Sequence, residues 1–437
     1  MSRLKLGATI KTILGEDIKI VSCLGEGGQG YVYKVKFRNH DYALKWYKRK
    51  ESDEFYKNIE ANIKKGSPAS TFLWPIAITR RDKKGCFGYV MEIRPNDYEA
   101  FPLFLLNRVR FSSFSAIINA ALLITVSFKM LHNKGFSYQD LNDGNFFIRP
   151  SDGRVLICDN DNVAPDGVNL GILGKARYMA PEIVSGKHRP DVFSDRFSLA
   201  VILFLLFFRD HPLAGKLDND GDDPVQNAYR LYCENPIFVF DTKDTSNRPK
   251  PDVNKNVLTF WPVFPKYIRD LFVRAFDKSL MNPDGVNRED RIIEKEWIKN
   301  IIRLRKDLIT CPCCKEETFF PLKKIEFNCM NCNDIIKKPV VLVFKDKEIP
   351  LYPDSEIYKY DIDSSVDFTI EGVMQTVGIV IKNKNNPNIW GIKNLSDMVW
   401  YRRSPGGKEE IRKEGEVIPV IRNNTIKFGT LTEGTIK

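Results

Sequence analysis

The sequence lacks a hydrophobic run long enough to cross a membrane. Its longest apolar stretch, Phe197 to Phe208, is shorter than the roughly 20 residues that a spanning helix needs, and Arg196 and Arg209 bracket it. We interpret this stretch as a buried core helix. The opening Met-Ser-Arg-Leu-Lys has no apolar segment behind it, so we expect no signal peptide, no membrane association and a cytoplasmic location.

Cysteine is scarce outside one short segment, since five of the nine cysteines lie between Cys311 and Cys332. Such clustering in an intracellular chain indicates metal binding rather than disulfides. Two Cys-x-x-Cys pairs at this separation fit one tetrahedral Zn²⁺ in a structural zinc ribbon, whose metal supplies folding energy. Free cysteines are the alternative, and contact of the ribbon with nucleic acid or with protein is left open. The expected ligands are Cys311, Cys314, Cys329 and Cys332, with Cys313 as a spare.

The excess of positive charge is modest, with 67 basic against 56 acidic side chains and a net charge of +11. It favours anionic partners such as nucleotides, phosphoproteins or nucleic acid, and solubility alone explains it equally well. The 437 residues suggest more than one domain, and 43% apolar residues suffice for real cores.

Three polar residues follow a predicted helix and a predicted buried strand. Asp140 begins the run Asp-Leu-Asn-Asp-Gly-Asn that ends at Asn145, and the strand Val155 to Cys158 ends on Asp159. Asp140 is a candidate base. Asn145 and Asp159 offer oxygen ligands of the kind that Mg²⁺ prefers.

A glycine-rich segment stands near the start of the chain. Gly25, Gly27 and Gly30 form a Gly-x-Gly-x-x-Gly whose alternating sequel predicts a strand rather than a helix. Glycines let a backbone approach phosphates closely. Lys45 then lies inside an apolar strand, and Ser52 is a candidate cap for a helix over 53–65. Residues 70–80 and 85–93 are expected to form two more strands.

These motifs, in this order, resemble those of eukaryotic-type protein kinases. Residues 138–140 and 159–161 occupy the places of His-Arg-Asp and Asp-Phe-Gly, and residues 43–45 match Val-Ala-Ile-Lys. Residues 174–182, Gly-Lys-Ala-Arg-Tyr-Met-Ala-Pro-Glu, are close to Gly-Thr-x-x-Tyr-x-Ala-Pro-Glu, and residues 195–198 are similar to Asp-x-Trp-Ser. The resemblance covers about residues 15–305. It implies a bilobal α+β kinase fold, with an N-lobe over 1–93 and a C-lobe over 94–306.

The resemblance also implies roles for individual residues. Lys45 would grip the α- and β-phosphates of ATP, with Glu60 as its partner and Glu54 as the runner-up. Asp140 would deprotonate a substrate hydroxyl, while Asn145 and Asp159 would hold Mg²⁺. Asp195 would brace the catalytic loop, and Glu182 would pair with Arg291. Nucleotide contacts are implied for Gly25, Gly27, Gly30, Val32, Ala43, Lys45, Met91, Glu92, Arg94 and Phe147.

Several positions depart from the kinase pattern. Gln139 replaces the arginine on which a phosphorylated activation segment docks, and residues 159–182 contain no Ser or Thr, so we predict no switching by Ser/Thr phosphorylation there. Asn142 replaces the usual lysine, and Lys175 either restores that cation beside Asp140 or is a surface lysine. Asp161 is a candidate second carboxylate for the metal.

After the cysteine segment (307–337), short strands separated by turns predict an all-β sandwich over 338–437. The stretches 390–396 and 417–429 resemble a forkhead-associated domain. The phosphothreonine-reading residues of that family are not carried over, because Ile379 follows Gly378 and no histidine follows His211. We therefore expect a degenerate domain that docks partners or holds the kinase.

The sequence thus predicts an ATP-dependent protein kinase acting on a protein substrate, with Ser/Thr the acceptor favoured by the resemblance. The loop around Asp140 is similar to a bacterial kinase branch that accompanies a von Willebrand A protein and a PP2C-type phosphatase in tellurite-resistance-associated clusters. One alternative is a nucleotide-binding pseudokinase scaffold that docks partners through its ribbon and β domain. Another is a basic nucleic-acid binder, which the small number of aromatic residues in the ribbon disfavours.

Overall fold

The computed structural model describes residues 3–171, 174–218, 223–321 and 324–437. It begins with a six-stranded antiparallel sheet in the order β1-β2-β3-β4-β6-β5, with helix α1 between β4 and β5. Tyr31, Tyr33, Val35 and Phe37 alternate along β3 into one buried cluster, as the period-two pattern predicts. The elements are β1 (Thr9–Lys11), β2 (Asp17–Glu26), β3 (Gly30–Phe37), β4 (His40–Tyr47), α1 (Asp53–Lys65), β5 (Ala77–Ile78) and β6 (Gly88–Met91).

Helix α1 has the predicted bounds. The Ser52 side chain accepts a hydrogen bond from the Phe55 backbone N–H (3.1 Å), which satisfies one of the free donors of the first turn. Gly66 ends the helix with a φ of +73°, a left-handed conformation that costs glycine little. The strands predicted over 70–80 and 85–93 are shorter than expected. Residues 70–76 instead run toward the second lobe, where the Leu73 N–H donates to the Ile157 carbonyl (2.9 Å).

The second lobe is mainly helical and is built around α3 and α5, whose residues are mostly buried in one core. Helix α3 is long and apolar enough to cross a membrane, but 72% of its apolar window is buried inside the protein, as in a core helix. The buried helix predicted over 197–208 is confirmed as part of α5. The elements are β7 (Glu99–Ala100), α2 (Phe101–Leu105), α3 (Phe114–Asn133), β8 (Phe136–Ser137), β9 (Phe146–Ile148), β10 (Val155–Ile157), β11 (Ala164–Pro165), α4 (Pro181–Val184), α5 (Val192–Phe208), α6 (Pro224–Tyr229), α7 (Lys255–Phe260), α8 (Lys266–Ala275) and α9 (Glu294–Lys306).

The chain after α9 is mostly β-structure. Two short hairpins carry the cysteines, β12 (Leu308–Thr310) with β13 (Glu317–Phe319) and β14 (Glu326–Asn328) with β15 (Ile335–Lys337). Two antiparallel sheets follow, ordered β17-β16-β25-β24-β21-β22 and β18-β19-β20-β23, and they share one apolar core. Their elements are β16 (Val340–Val343), β17 (Glu348–Leu351), β18 (Glu356–Tyr358), α10 (Lys359–Ile362), α11 (Ile370–Met374), β19 (Thr376–Lys382), β20 (Trp390–Asn394), β21 (Trp400–Arg403), β22 (Glu409–Arg412), β23 (Val417–Pro419), β24 (Thr425–Phe428) and β25 (Thr432–Ile436).

This C-terminal part packs against the helical lobe. Arg305, at the end of α9, is 9% exposed and donates to the Tyr360 hydroxyl and the Val373 carbonyl, both at 2.7 Å. Lys306 forms an ion pair with the buried Asp361. Tyr360 and Val373 also belong to the apolar core of the helical lobe. The segment between β18 and β19 therefore attaches the sandwich to the C-terminal end of α9.

Candidate active site

A cleft of about 880 Å³ lies between the N-terminal sheet and the helical lobe. The structure brings all the residues predicted for catalysis, nucleotide contact and Mg²⁺ binding into this cleft except Glu60. Those lining it are Gly25, Gly27, Gly30, Val32, Ala43, Lys45, Met91, Glu92, Arg94, Asp140, Asn145, Phe147, Asp159 and Lys175. Sequence reasoning missed Leu24, Leu73 and Cys158, whose apolar or weakly polar side chains carry no recognisable motif.

The glycine-rich segment is the hairpin between β2 and β3. The Gly27 N–H donates to the Gly30 carbonyl across it (2.9 Å). A Cβ on Gly30 would lie 2.5 Å from the Trp46 carbonyl oxygen, so the close approach of β3 to β4 requires glycine there. A Cβ on Gly25 or Gly28 would meet no atom of the described part of the chain within 4 Å. The hairpin therefore leaves open backbone above the cleft, as phosphate contact requires.

The predicted ion pair between Lys45 and Glu60 is wrong. The Glu60 carboxylate pairs with Lys64 one turn along α1 (2.8 Å), and Glu54 is exposed. The inward face of α1 carries Phe55, Ile59 and Asn62 instead. Helix α1 therefore presents apolar and amide groups to the protein interior, and its acidic side chains lie outside that face.

Lys45 finds its carboxylate partners in the loop after β10. Its Nζ donates to both oxygens of Asp161, at 3.0 and 2.8 Å, and to Asp159 Oδ1 at 3.0 Å. Burial alone would lower the pKa of Lys45, but the charges of Asp161 and Asp159 offset burial and raise that pKa above its ordinary value. The Asp161 side chain is fully buried against Lys45, and its role as a second metal carboxylate stays a prediction.

Asp140 lies at the floor of the cleft in a loop held by its own side chains. Asn142 Nδ2 donates to Asp140 Oδ1 (3.0 Å), and Asn145 Nδ2 donates to the Asp140 carbonyl (2.7 Å). Burial raises the pKa of Asp140 to about 6; the Asn142 hydrogen bond opposes this rise, and the Asp159 charge adds to it. A carboxylate with such a pKa is well matched to accept a proton near neutral pH.

Asn145 and Asp159 are the two oxygen donors on either side of the cleft floor. The Cys158 N–H donates to the Asn145 carbonyl (2.9 Å) and ties the two loops together. Asp159 adopts a left-handed conformation, with a φ of +52°, that Asp tolerates better than most residues. The Asp159 side chain is 44% exposed. Asn145 uses its Nδ2 for the Asp140 carbonyl, and its Oδ1 accepts no hydrogen bond from the residues that the structure describes. Both side chains suit a hard cation.

Two predicted braces are confirmed. The Asp195 carboxylate accepts the backbone N–H groups of Tyr138 (2.6 Å) and Gln139 (3.2 Å) and so fixes the chain just before Asp140. Glu182 and Arg291 form a buried pair with two parallel hydrogen bonds of 2.7 Å each. Each of these contacts joins distant parts of the chain. The order of the kinase motifs predicted them, and no local sequence pattern did.

Gln139 and Lys175, which depart from the kinase pattern, both form hydrogen bonds near Asp140. Lys175 is 60% exposed, and its Nζ donates to Asn142 Oδ1 (3.1 Å) at the edge of the cleft. The Gln139 side-chain amide donates to the Val168 carbonyl, in the segment that follows residues 159–162, which we call the metal loop. Both side chains therefore link the catalytic loop to the segment 159–182.

The four predicted zinc ligands also converge. Cys311 and Cys332 have their sulfur atoms 3.7 Å apart, as do Cys314 and Cys329, and all four sulfur atoms lie within 4.8 Å of one another. Tetrahedral bonds of about 2.3 Å place ligand sulfurs about 3.8 Å apart, so the cluster fits Zn²⁺. Cys313 is exposed.

Comparison with known proteins agrees with this geometry. The family model of the protein kinase domain matches residues 18–267. A probable serine/threonine-protein kinase of Clostridium perfringens is 25% identical over 309 residues, which are 68% of this chain and 40% of the relative. The serine/threonine-protein kinase Sgk1-B of Xenopus laevis is 24% identical over 195 residues, which are 41% of this chain and 44% of the relative. The chain thus spans less than half of the length of these relatives. Since the family model covers more than half of the chain and its cleft carries the matching polar residues, the chain belongs to the protein kinase family.

Proposed function

We propose that this protein is an ATP-dependent kinase that transfers the γ-phosphoryl group to a serine or threonine hydroxyl of a protein. The observation that carries the proposal is the convergence of Lys45, Asp140, Asn145 and Asp159 in one cleft below a glycine hairpin. Phosphoryl transfer depends mainly on positioning and charge stabilisation, and these residues supply both. The relatives named as serine/threonine kinases support the choice of acceptor.

Each residue has a separate task in this proposal. Asp140 accepts the proton of the substrate hydroxyl, and Asn142 and Asn145 hold the backbone and carboxylate of Asp140 in place. Asn145 and Asp159 would hold Mg²⁺, which when bound supplies charge neutralisation at the phosphates. Lys45 binds the phosphates from the sheet side, while Ala43, Met91 and Phe147 give the cleft an apolar end for the base.

We further propose that the segment 159–182 is held in place without phosphorylation. The segment contains no Ser or Thr, and Gln139 bonds it directly at Val168. Lys175 adds a cation at the edge of the cleft, where charge develops during transfer. If so, Lys175→Met lowers kcat and Lys175→Arg restores part of it, whereas equal activity of all three proteins would show that Lys175 is only a surface residue.

Autophosphorylation with labelled ATP tests the main proposal. The wild type should incorporate phosphate onto serine or threonine, as read by phosphoamino-acid analysis, and Asp140→Asn should not. The second candidate is a scaffold that binds nucleotide without turnover; the contact between Lys45 and the metal-site residue Asp159 favours it. A wild type that binds a fluorescent ATP analogue, yet labels neither itself nor a generic substrate, would support the scaffold and contradict the kinase.

For the remainder of the chain we propose a structural zinc ribbon over 307–337 and a forkhead-associated-like sandwich over 338–437. The convergence of four cysteine sulfurs supports the first. The two sheets with a shared core support the second. The contacts of Arg305 and Lys306 with the segment after β18 support a role of this part in holding the kinase lobe. The association with a von Willebrand A protein and a PP2C-type phosphatase stays a prediction.

A further inference from the structure

Asp161 is a fully buried carboxylate whose contacts the kinase resemblance does not explain. Its side chain is 0% exposed, and both of its oxygens accept from Lys45 Nζ. A carboxylate removed from water is tolerated only when its charge is balanced and its oxygens are hydrogen-bonded. Lys45 meets the first requirement.

Two tyrosines meet the second requirement. Tyr47 donates its hydroxyl to Asp161 Oδ2, and Tyr89 donates to Oδ1 (3.2 Å). Tyr47 is two residues after Lys45 on β4, so the two side chains share one face of the sheet. Tyr89 is paired with Lys45 in the register between β4 and β6. The sheet thus presents three donors to a single carboxylate.

Helix α1 contributes no charge to this arrangement. Asn58 and Asn62 on its inner side both donate to the Val163 carbonyl (2.8 Å), which fixes the helix to the same loop that carries Asp161. Glu60 is bonded to Lys64. The helix therefore packs against the loop but does not aim the lysine.

We propose that Asp161 is the positioning carboxylate of Lys45, in the place that a helix glutamate has in the kinases that the sequence resembles. The alignment of the lysine then depends on the metal loop and the sheet rather than on where α1 lies. Asp159 is the other carboxylate on Lys45. If Asp159 binds a metal ion, Asp161 still holds Lys45 in the direction of the phosphates. The inference rests on the proposed kinase function.

The direct test compares Asp161→Asn with Glu60→Gln as the matched control. Asp161→Asn is expected to lower kcat/KM for ATP about a hundredfold, the size typical of removing one partner of a buried charge pair. Glu60→Gln should leave kcat and KM within about twofold, because its carboxylate is bonded to Lys64 on the same helix and not to Lys45. Loss of activity in Glu60→Gln together with normal activity in Asp161→Asn would overturn the inference while leaving the kinase function intact.

A double-mutant cycle separates positioning from a general structural role. If Asp161 acts through Lys45, Lys45→Met combined with Asp161→Asn loses no more kcat/KM than Lys45→Met alone. Additive losses would show that Asp161 acts elsewhere and would overturn the inference. Failure of the wild type to transfer phosphate would instead count against the proposed function, since it involves no change at Asp161.

Tyr89→Phe carries the test if Asp161→Asn does not fold, as judged by near-UV circular dichroism. It keeps the ring and removes one hydrogen bond to Asp161, so kcat/KM for ATP should fall about tenfold. Tyr56→Phe is its control, because the Tyr56 hydroxyl bonds the Thr79 carbonyl (2.9 Å) instead. Equal activity of the two variants would overturn the inference.

Discussion

His132 makes the stability of the kinase lobe depend on pH. It lies near the end of α3 with a 5% exposed side chain, and its two ring nitrogens face Asp195 Oδ2 (3.1 Å) and Glu294 Oε1 (3.0 Å). Arg196 also contacts Glu294 (2.9 Å). Burial opposes protonation of His132, but the hydrogen bonds and charges of the two carboxylates raise its pKa to about 9.

The size and direction of the effect follow from this pKa. The pKa of His132 rises from its ordinary 6.5 to about 9 on folding, a difference worth about 3 kcal/mol. Because the folded pKa is the higher one, this stabilisation is fully present below about pH 6.5 and is lost as the pH rises through 9. Asp195 also holds Tyr138 and Gln139, so the loss should loosen the catalytic loop.

Urea denaturation between pH 6 and pH 9.5 measures this effect. The wild type should lose about 3 kcal/mol more than His132→Gln over that range. His211→Gln is the matched control, since burial lowers the pKa of His211 to about 3 and keeps it neutral throughout. Parallel pH curves for the wild type and His132→Gln would refute the reasoning.

Three other predictions concern the site and the tail. Arg291→Ala should lower the free energy of unfolding by about 3 kcal/mol, because it removes the two short hydrogen bonds of the buried Glu182 and leaves that carboxylate with the longer Arg288 contact (3.7 Å); urea denaturation showing a change below about 1 kcal/mol would contradict this. Asp140→Asn should lower kcat by about 10²–10⁴-fold, and wild-type kcat should rise with pH through about 6, where ionised Asp140 becomes able to accept a proton; a flat profile would contradict that role. A strong chelator should release zinc and lower the thermal midpoint of the wild type; Cys314→Ser should bind no zinc and Cys313→Ser should keep it, and equal zinc content in both would refute the assigned ligands.

Local signals in the sequence were sufficient for parts of the fold. Ser52 and Gly66 mark the ends of α1 because capping depends on neighbouring backbone groups. The ordered kinase motifs likewise related Glu182 to Arg291, more than a hundred residues apart. Such pairs can be predicted because the fold that the family motifs indicate brings both residues of a pair to the same place.

The carboxylate partner of Lys45 could not be predicted from the sequence, for a physical reason. Which face of α1 turns inward is decided by the packing of Phe55 and Ile59 and by hydrogen bonds from Asn62 to a carbonyl about a hundred residues away. The site of Asp161 requires the register between β4 and β6, which brings Tyr89 opposite Lys45. The sequence does show Asp161 as an extra acidic residue in the metal loop. Its contact with Lys45 could not be predicted without that strand register.

The burial of Arg305 has a practical consequence for experiments on this protein. A catalytic fragment cut at the end of α9 would uncover a guanidinium that now donates to Tyr360 and Val373, together with the apolar strip against which those residues pack. Such a fragment should aggregate more readily during purification than the full chain. Recombinant expression and crystallisation are therefore best attempted with the C-terminal sheets attached.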